Sequence, residues 1–175
     1  MHAGVRRRAC VGCPQIGTAA MERVRVELIV NGVVREVDVP AGVPLIFTLR
    51  NALGLKSVKL GCGLEQCGAC KVLVDGAPAL SCVSLTESFE GRRVETVEGL
   101  QNGGALHPVQ SALLGENAAQ CGYCLSGIVM AAKALFDRTP TPSRDEIRAA
   151  LDDHLCRCGA HPRILRALER LAGHG

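Results

Sequence analysis

Eight of the ten cysteines fall into two quartets whose spacing suits soft-metal chemistry. The first is Cys62, Cys67, Cys70 and Cys82, with three thiols in one short loop at C-x4-C-x2-C and the fourth beyond a hairpin signal. The second is Cys121 and Cys124, followed later by Cys156 and Cys158. Thiolate is soft and strongly donating, so it suits iron held together with inorganic sulfide, and four thiolates suffice for one [2Fe–2S] cluster. A chain with two one-electron centres and no evident acid, base or nucleophile set is built to move electrons for another protein.

The two quartets differ in how much their spacing decides. The 4-then-2 spacing of the first is the plant-type ferredoxin pattern, whereas zinc sites favour paired C-x2-C knuckles. A cluster held by four thiolates is anionic, and its burial requires main-chain N–H groups aimed at the sulfurs. Gly61, Gly63 and Gly68 let the main chain curl close enough to supply them. In the second quartet, C-x2-C plus C-x-C fits either zinc or iron–sulfur by spacing alone. A thioredoxin-type reading of Cys121–Cys124 lacks the βαβ context it needs.

Composition narrows the class. Of 175 residues, 47% are hydrophobic but only 2% are aromatic, so the cores must be Val, Leu, Ile and Ala. Metal often staples such thin cores. A net charge of +3 is too mild to imply nucleic acid or a membrane surface. No apolar run reaches membrane-spanning length. Ten cysteines would fit a secreted disulfide scaffold, but residues 1–20 carry no apolar signal segment. The expected location is therefore the reducing cytoplasm. Arg6-Arg7-Arg8 leaves twin-arginine co-export to the periplasm as the alternative.

The elements that must position the cysteines follow from periodicity. Residues 1–20 are expected to be a disordered extension. Val24, Val26, Leu28 and Val30 alternate as a strand, and Asn31-Gly32 signals a tight hairpin into Val37 and Val39. Pro44 starts a helix through Leu53 that ends near Gly54. After the first cysteine loop come Val72–Val74, a second hairpin signal at Asp75-Gly76, Ala79-Leu80, and a strand over Val94–Val97. The Gly99–Gly104 stretch is a linker, which divides the chain into units at 21–100 and 101–175. Helices then open at His107-Pro108, over Leu125–Phe136, after the Ser143-x-x-Glu146 capping box, and at Pro162. The fold class is α+β, a small mixed sheet with a helix across it followed by four helices.

Gly61-Cys62-Gly63-Leu64-Glu65-Gln66-Cys67-Gly68-Ala69-Cys70 with Ser81-Cys82 resembles the first iron–sulfur motif of the molybdenum hydroxylases. Gln120-Cys121-Gly122-Tyr123-Cys124 and Leu155-Cys156-Arg157-Cys158-Gly159 resemble the second. The family is the xanthine dehydrogenase superfamily, specifically its small iron–sulfur subunit, and the resemblance covers residues 21–172. Leu64-Glu65-Gln66 and Ser126 are similar to the nicotinate- and isoquinoline-type dehydrogenase branch. The resemblance implies a β-grasp ferredoxin-like domain followed by a four-helix bundle, with a [2Fe–2S] cluster in each. It implies a large subunit that holds molybdopterin, in its cytosine dinucleotide form, and hydroxylates an N-heterocycle or an aldehyde. It implies that Gln120 hydrogen-bonds the pterin, and that a FAD subunit or a c-type cytochrome accepts the electrons.

Several other residues have plainer roles. Cys10 and Cys13 form a C-x2-C that lacks two further ligands, so free thiols on a leader are expected. His107, His154 and His161 are expected to be structural, since a Rieske site needs two histidines paired with two cysteines. Arg157 suits either a surface ion pair or a phosphate of the pterin nucleotide. Lys56, Lys59 and Lys71 flank the first loop as solvated charges with the option of steering a redox partner.

Overall fold

The computed structural model describes residues 21–101 and 103–174. The extension, with Cys10 and Cys13, lies outside them. Strand β1 (Arg23–Val30) pairs antiparallel with β2 (Val33–Pro40) through the Asn31-Gly32 turn. Both turn residues have positive φ, 50° and 78°, as a type I′ turn demands. Strands β3 (Lys71–Val74) and β4 (Ala77–Leu80) repeat the device at Asp75-Gly76, with φ of 49° and 82°. Strand β5 (Arg93–Glu95) runs parallel to β1 and antiparallel to β3, giving the order β2-β1-β5-β3-β4.

Alternation decides what each strand buries. Val26, Leu28, Val30, Val37 and Val39 face a core closed by Leu45, Ile46 and Leu49. Those three belong to α1 (Leu45–Phe47) and the π-helical turn Thr48–Ala52 that continues it. The helix expected from Pro44 to Leu53 is thus a single α turn that widens, and Gly54, at φ 73°, ends it. Strand β5 is shorter than expected. At Val97–Gly99 the chain tightens into a 3-10 turn, because the Glu98 carboxylate is drawn to the N–H and hydroxyl of Ser57.

Strand β3 is buried on both faces, which explains the uninterrupted apolar sequence Val72–Val74. Val72 and Val74 enter the sheet core, whereas Leu73 packs into the second core with α3. That second core is formed by α2 (Pro108–Gly115), α3 (Leu125–Arg138), α4 (Arg144–Leu151) and α5 (His161–Leu171). The ends of α2 and α4 are fixed by capping boxes. His107 Nδ1 accepts from the Val109 N–H while Gln110 reaches back to the His107 N–H. Ser143 and Glu146 reciprocate in the same way. Helix α3 buries Ile128–Ala132 together with Ala134 and Leu135, as its nearly continuous apolar sequence requires.

Candidate metal centres

The first quartet forms where the 61–70 loop meets the end of β4. Cys67, Cys70 and Cys82 are buried, and Cys62 is exposed. Main-chain N–H groups of Leu64 and Gln66 each donate to Cys62 Sγ at 3.3 Å, and the Cys62 N–H donates to Cys67 Sγ at 3.3 Å. Glu65, at φ 58°, and Gly63, at φ 67°, turn the chain so that these N–H groups point inward. The Leu64 and Gln66 N–H bonds pull the Cys62 thiol down to about 7. Burial, followed by the neighbouring Cys82 thiol, pushes Cys70 up to about 12. At Gly61 a side chain is excluded outright, since a Cβ there would lie 2.5 Å from Cys67 Sγ.

The second quartet forms where α3 and α5 begin. Cys121 Sγ and Cys158 Sγ stand 3.4 Å apart, and the Cys124 thiol faces that of Cys156. The Tyr123 N–H and the Cys158 thiol lower Cys121. Burial opposes ionisation of Cys156, but the Ala160 N–H, the Cys124 thiol and the N–H groups of Cys158 and Gly159 outweigh it and lower this thiol. Burial pushes Cys124 up to about 12.

In each quartet the thiols associate two by two: Cys62 with Cys67, Cys70 with Cys82, Cys121 with Cys158, and Cys124 with Cys156. Among the described residues no three His, Cys, Asp or Glu side chains converge as a single ion would need. A zinc site gathers its four ligands around one point, whereas four thiolates on a two-iron cluster have two metal atoms to share. The paired donor sets are compatible with a two-iron cluster in each quartet.

The two loops touch. The Leu155 N–H donates to the Cys67 carbonyl at 3.2 Å, and the Tyr123 hydroxyl donates to the Leu60 carbonyl at 2.7 Å. Gly127, in the first turn of α3, approaches so closely that a Cβ would overlap the Gly68 carbonyl. The Gln120 amide nitrogen donates to the Cys158 carbonyl at 2.8 Å, which leaves its carbonyl oxygen free at the exposed edge of the second quartet.

One other expectation needs correction. Lys71 is not a solvated charge. Its side chain is buried and paired with Asp153. Burial works to raise the Asp153 carboxyl, but the Lys71 bond and charge, helped by His154, outweigh it and hold that group low. Lys56, exposed, and Lys59, half-buried, donate to backbone carbonyls of Arg50 and Lys56, respectively, at the surface. His154 is buried, and burial together with the Lys71 cation holds it near 4 against the pull of Asp153, so it is neutral. Arg157 is exposed.

A model of the "2Fe-2S iron-sulfur cluster binding domain" matches residues 28–97, and a "[2Fe-2S] binding domain" model matches residues 96–169. A nicotinate dehydrogenase subunit of Pseudomonas putida is 51% identical, over 84% of this chain and 94% of its own length. The alpha subunit of isoquinoline 1-oxidoreductase from Brevundimonas diminuta is 44% identical, over 84% of this chain and 97% of its own. The chain belongs to the iron–sulfur subunits of the molybdenum hydroxylases. Among solved structures, a chain of quinoline 2-oxidoreductase from Pseudomonas putida 86 superposes with a TM-score of 0.82 at 37% identity, over 86% of this chain and 94% of that one. The aldehyde oxidoreductase of Desulfovibrio desulfuricans superposes with a TM-score of 0.80 at 39% identity over 85% of this chain, which spans 17% of that longer polypeptide. Like its relatives, this chain is a non-catalytic iron–sulfur subunit that transfers electrons within a molybdenum-dependent oxidoreductase complex. Among the described residues no helix is long and apolar enough to cross a membrane.

Proposed function

We propose that Cys62, Cys67, Cys70 and Cys82 hold one [2Fe–2S] cluster and that Cys121, Cys124, Cys156 and Cys158 hold the other. Two units dividing near residue 100 would carry one site each. When bound, the clusters accept and release single electrons. The chain's own residues bind them by thiolate, stabilise their negative charge with N–H groups and exclude water from their inner faces. The observation that carries this reading is the gathering of each quartet with main-chain N–H groups aimed at its sulfurs, at Cys62, Cys67 and Cys156, and with Cys121 Sγ 3.4 Å from Cys158 Sγ.

The helical-unit site is proposed to face the large subunit. Cys121 is exposed there, and the free Gln120 carbonyl oxygen beside it can accept from a pterin edge while its amide nitrogen stays on Cys158. The proposed pterin cofactor is the cytosine dinucleotide form. The proposed substrates of the complex are N-heteroaromatics, in keeping with the nicotinate and isoquinoline enzymes among its relatives, or aldehydes. A FAD subunit or a c-type cytochrome would take the electrons, and the complex would work in the cytoplasm.

Purification of the native complex, with assay of iron, acid-labile sulfide, molybdenum, nucleotide, flavin and haem, tests the reading. It predicts about four irons per copy of this chain, two for each thiolate quartet. Zinc with no labile sulfide would overturn it.

A further inference from the structure

An ionic contact lies between the two quartets, and the relay role by itself does not require it. Lys71 directly follows Cys70, and strand alternation turns its side chain to the same face as Leu73, toward the helices. That side chain is only 8% exposed, and its ammonium donates to both carboxylate oxygens of Asp153, at 2.8 and 2.7 Å. Asp153 lies three residues before Cys156 in the sequence. The intervening His154 is buried with its ring against Gly68, where a Cβ would come within 2.5 Å of it. A short segment of each ligand loop is therefore held against the other.

Three polar ties join the loops: Tyr123 to Leu60, Leu155 to Cys67, and Asp153 to Lys71. Each lies at or beside a cysteine of one or both quartets. The first two end on main-chain carbonyls, and a single hydrogen bond leaves rotation about its axis. A third, separate tie removes that freedom. With Lys71 buried and Asp153 half-exposed, the pair is a poor source of stability compared with apolar residues of similar size, and the best-attested use of a charge buried in this way is to fix register. Pro78, Ala131, Ala134 and Leu135 line the cavity beside Lys71 together with Arg138, Asp152 and Asp153, and of these the ammonium bonds Asp153.

We propose that the Lys71–Asp153 ion pair is a positioning device that fixes the separation and orientation of the two cysteine quartets. The inference rests on the ligand assignment above, and the test separates the two.

The experiment uses the full chain in its native complex, with both sites reduced, and reads the magnetic splitting between the two paramagnetic centres in frozen solution. That splitting depends steeply on separation and orientation, whereas a contact that only stabilises the fold moves a melting temperature. Lys71→Met combined with Asp153→Asn removes both charges and leaves no orphaned ion. The expected result is full iron content, unchanged g values for each centre, and an altered splitting. Asp153→Glu, on the half-exposed side of the pair, lengthens the arm by one methylene while keeping the charge, so it decides the matter should the double variant lose iron. It too is expected to retain iron and shift the splitting. A splitting identical to that of the unmodified complex in Asp153→Glu, or in an iron-replete double variant, overturns the proposal. Absence of two distinct iron–sulfur signals from the unmodified complex would instead overturn the ligand assignment.

Discussion

The Leu155 N–H and the Cys67 carbonyl meet at 3.2 Å, joining the residue before one proposed ligand to another proposed ligand in the other quartet. The link between the sites is therefore main chain to main chain, which no substitution at 155 other than to proline removes directly. The side chains around it are open to mutation.

Cys67→Ser should remove mainly the signal of the plant-type centre, and Cys124→Ser mainly that of the other. The two thiols lie in separate quartets, each with its own N–H groups and its own paired partner. Electron paramagnetic resonance of each reduced variant checks this. Loss of both signals from either change would defeat the separate-site assignment.

Gly127→Ala should destabilise the protein by about 3 kcal/mol, the upper range for overpacking. In an ordinary exposed helix the same change stabilises by about 1 kcal/mol through helix propensity. The sign reverses here because the new methyl group overlaps the Gly68 carbonyl. Gly91→Ala is a useful comparison: its Cβ meets nothing, but φ is 68°, so a cost of about 1–2 kcal/mol is expected. Thermal unfolding of the cluster-loaded protein measures both, and a stabilised Gly127→Ala would contradict the close approach.

How much of this was legible in the sequence depends on how local each cause is. Asn31-Gly32 and Asp75-Gly76 specify their own turns, and Ser143 with Glu146 specifies its own helix start, so these elements were readable directly. The two-by-two association of the thiols was not, because spacing fixes which residues share a loop and not which sulfurs face each other. Lys71 was misplaced for a related reason. A Lys at the start of a strand beside a loop reads as solvated, and only the docking of α3 and the 151–156 segment onto β3 buries it. The apolar run Val72–Val74 did carry a hint, since a strand without alternation is covered on both faces. The helix after Pro44 widens into a π turn where Thr48 is buried against Thr86, a contact thirty-eight residues away that local pattern cannot show.

Glu98→Gln should cost about 1 kcal/mol at neutral pH, the net worth of a typical hydrogen-bond contribution. Burial works against this carboxylate, but the Ser57 hydroxyl, the Thr96 hydroxyl and the Ser57 N–H outweigh it and hold Glu98 below the usual carboxylate range. A depressed carboxylate stabilises the fold above its unfolded value of 4.5, and that contribution disappears as pH falls through the lower folded value. The difference between wild type and variant should therefore be full at pH 7 and shrink in the acid range. Denaturant midpoints across pH measure it, and a gap that widens on acidification would contradict the assignment.

Gln120→Leu should alter the spectrum of the helical-unit centre and leave the other unchanged. The lost amide frees the Cys158 carbonyl, which sits on a proposed ligand, and has no contact with the first quartet. Loss of a hydrogen bond that orients a metal ligand typically weakens the site by about 10–100-fold, so poorer cluster retention is also expected. Chelator challenge followed by spectroscopy reads both effects. An unchanged second-site spectrum would remove Gln120 from the site.

The central claim is that eight named cysteines hold two separate two-iron clusters. Iron and acid-labile sulfide analysis of the natively isolated complex, combined with resonance spectra of its reduced form, tests it most directly. The prediction is about four irons with matching sulfide per copy of this chain and two distinguishable paramagnetic centres. A colourless, zinc-rich protein without labile sulfide, or a single centre holding all the iron, would contradict it.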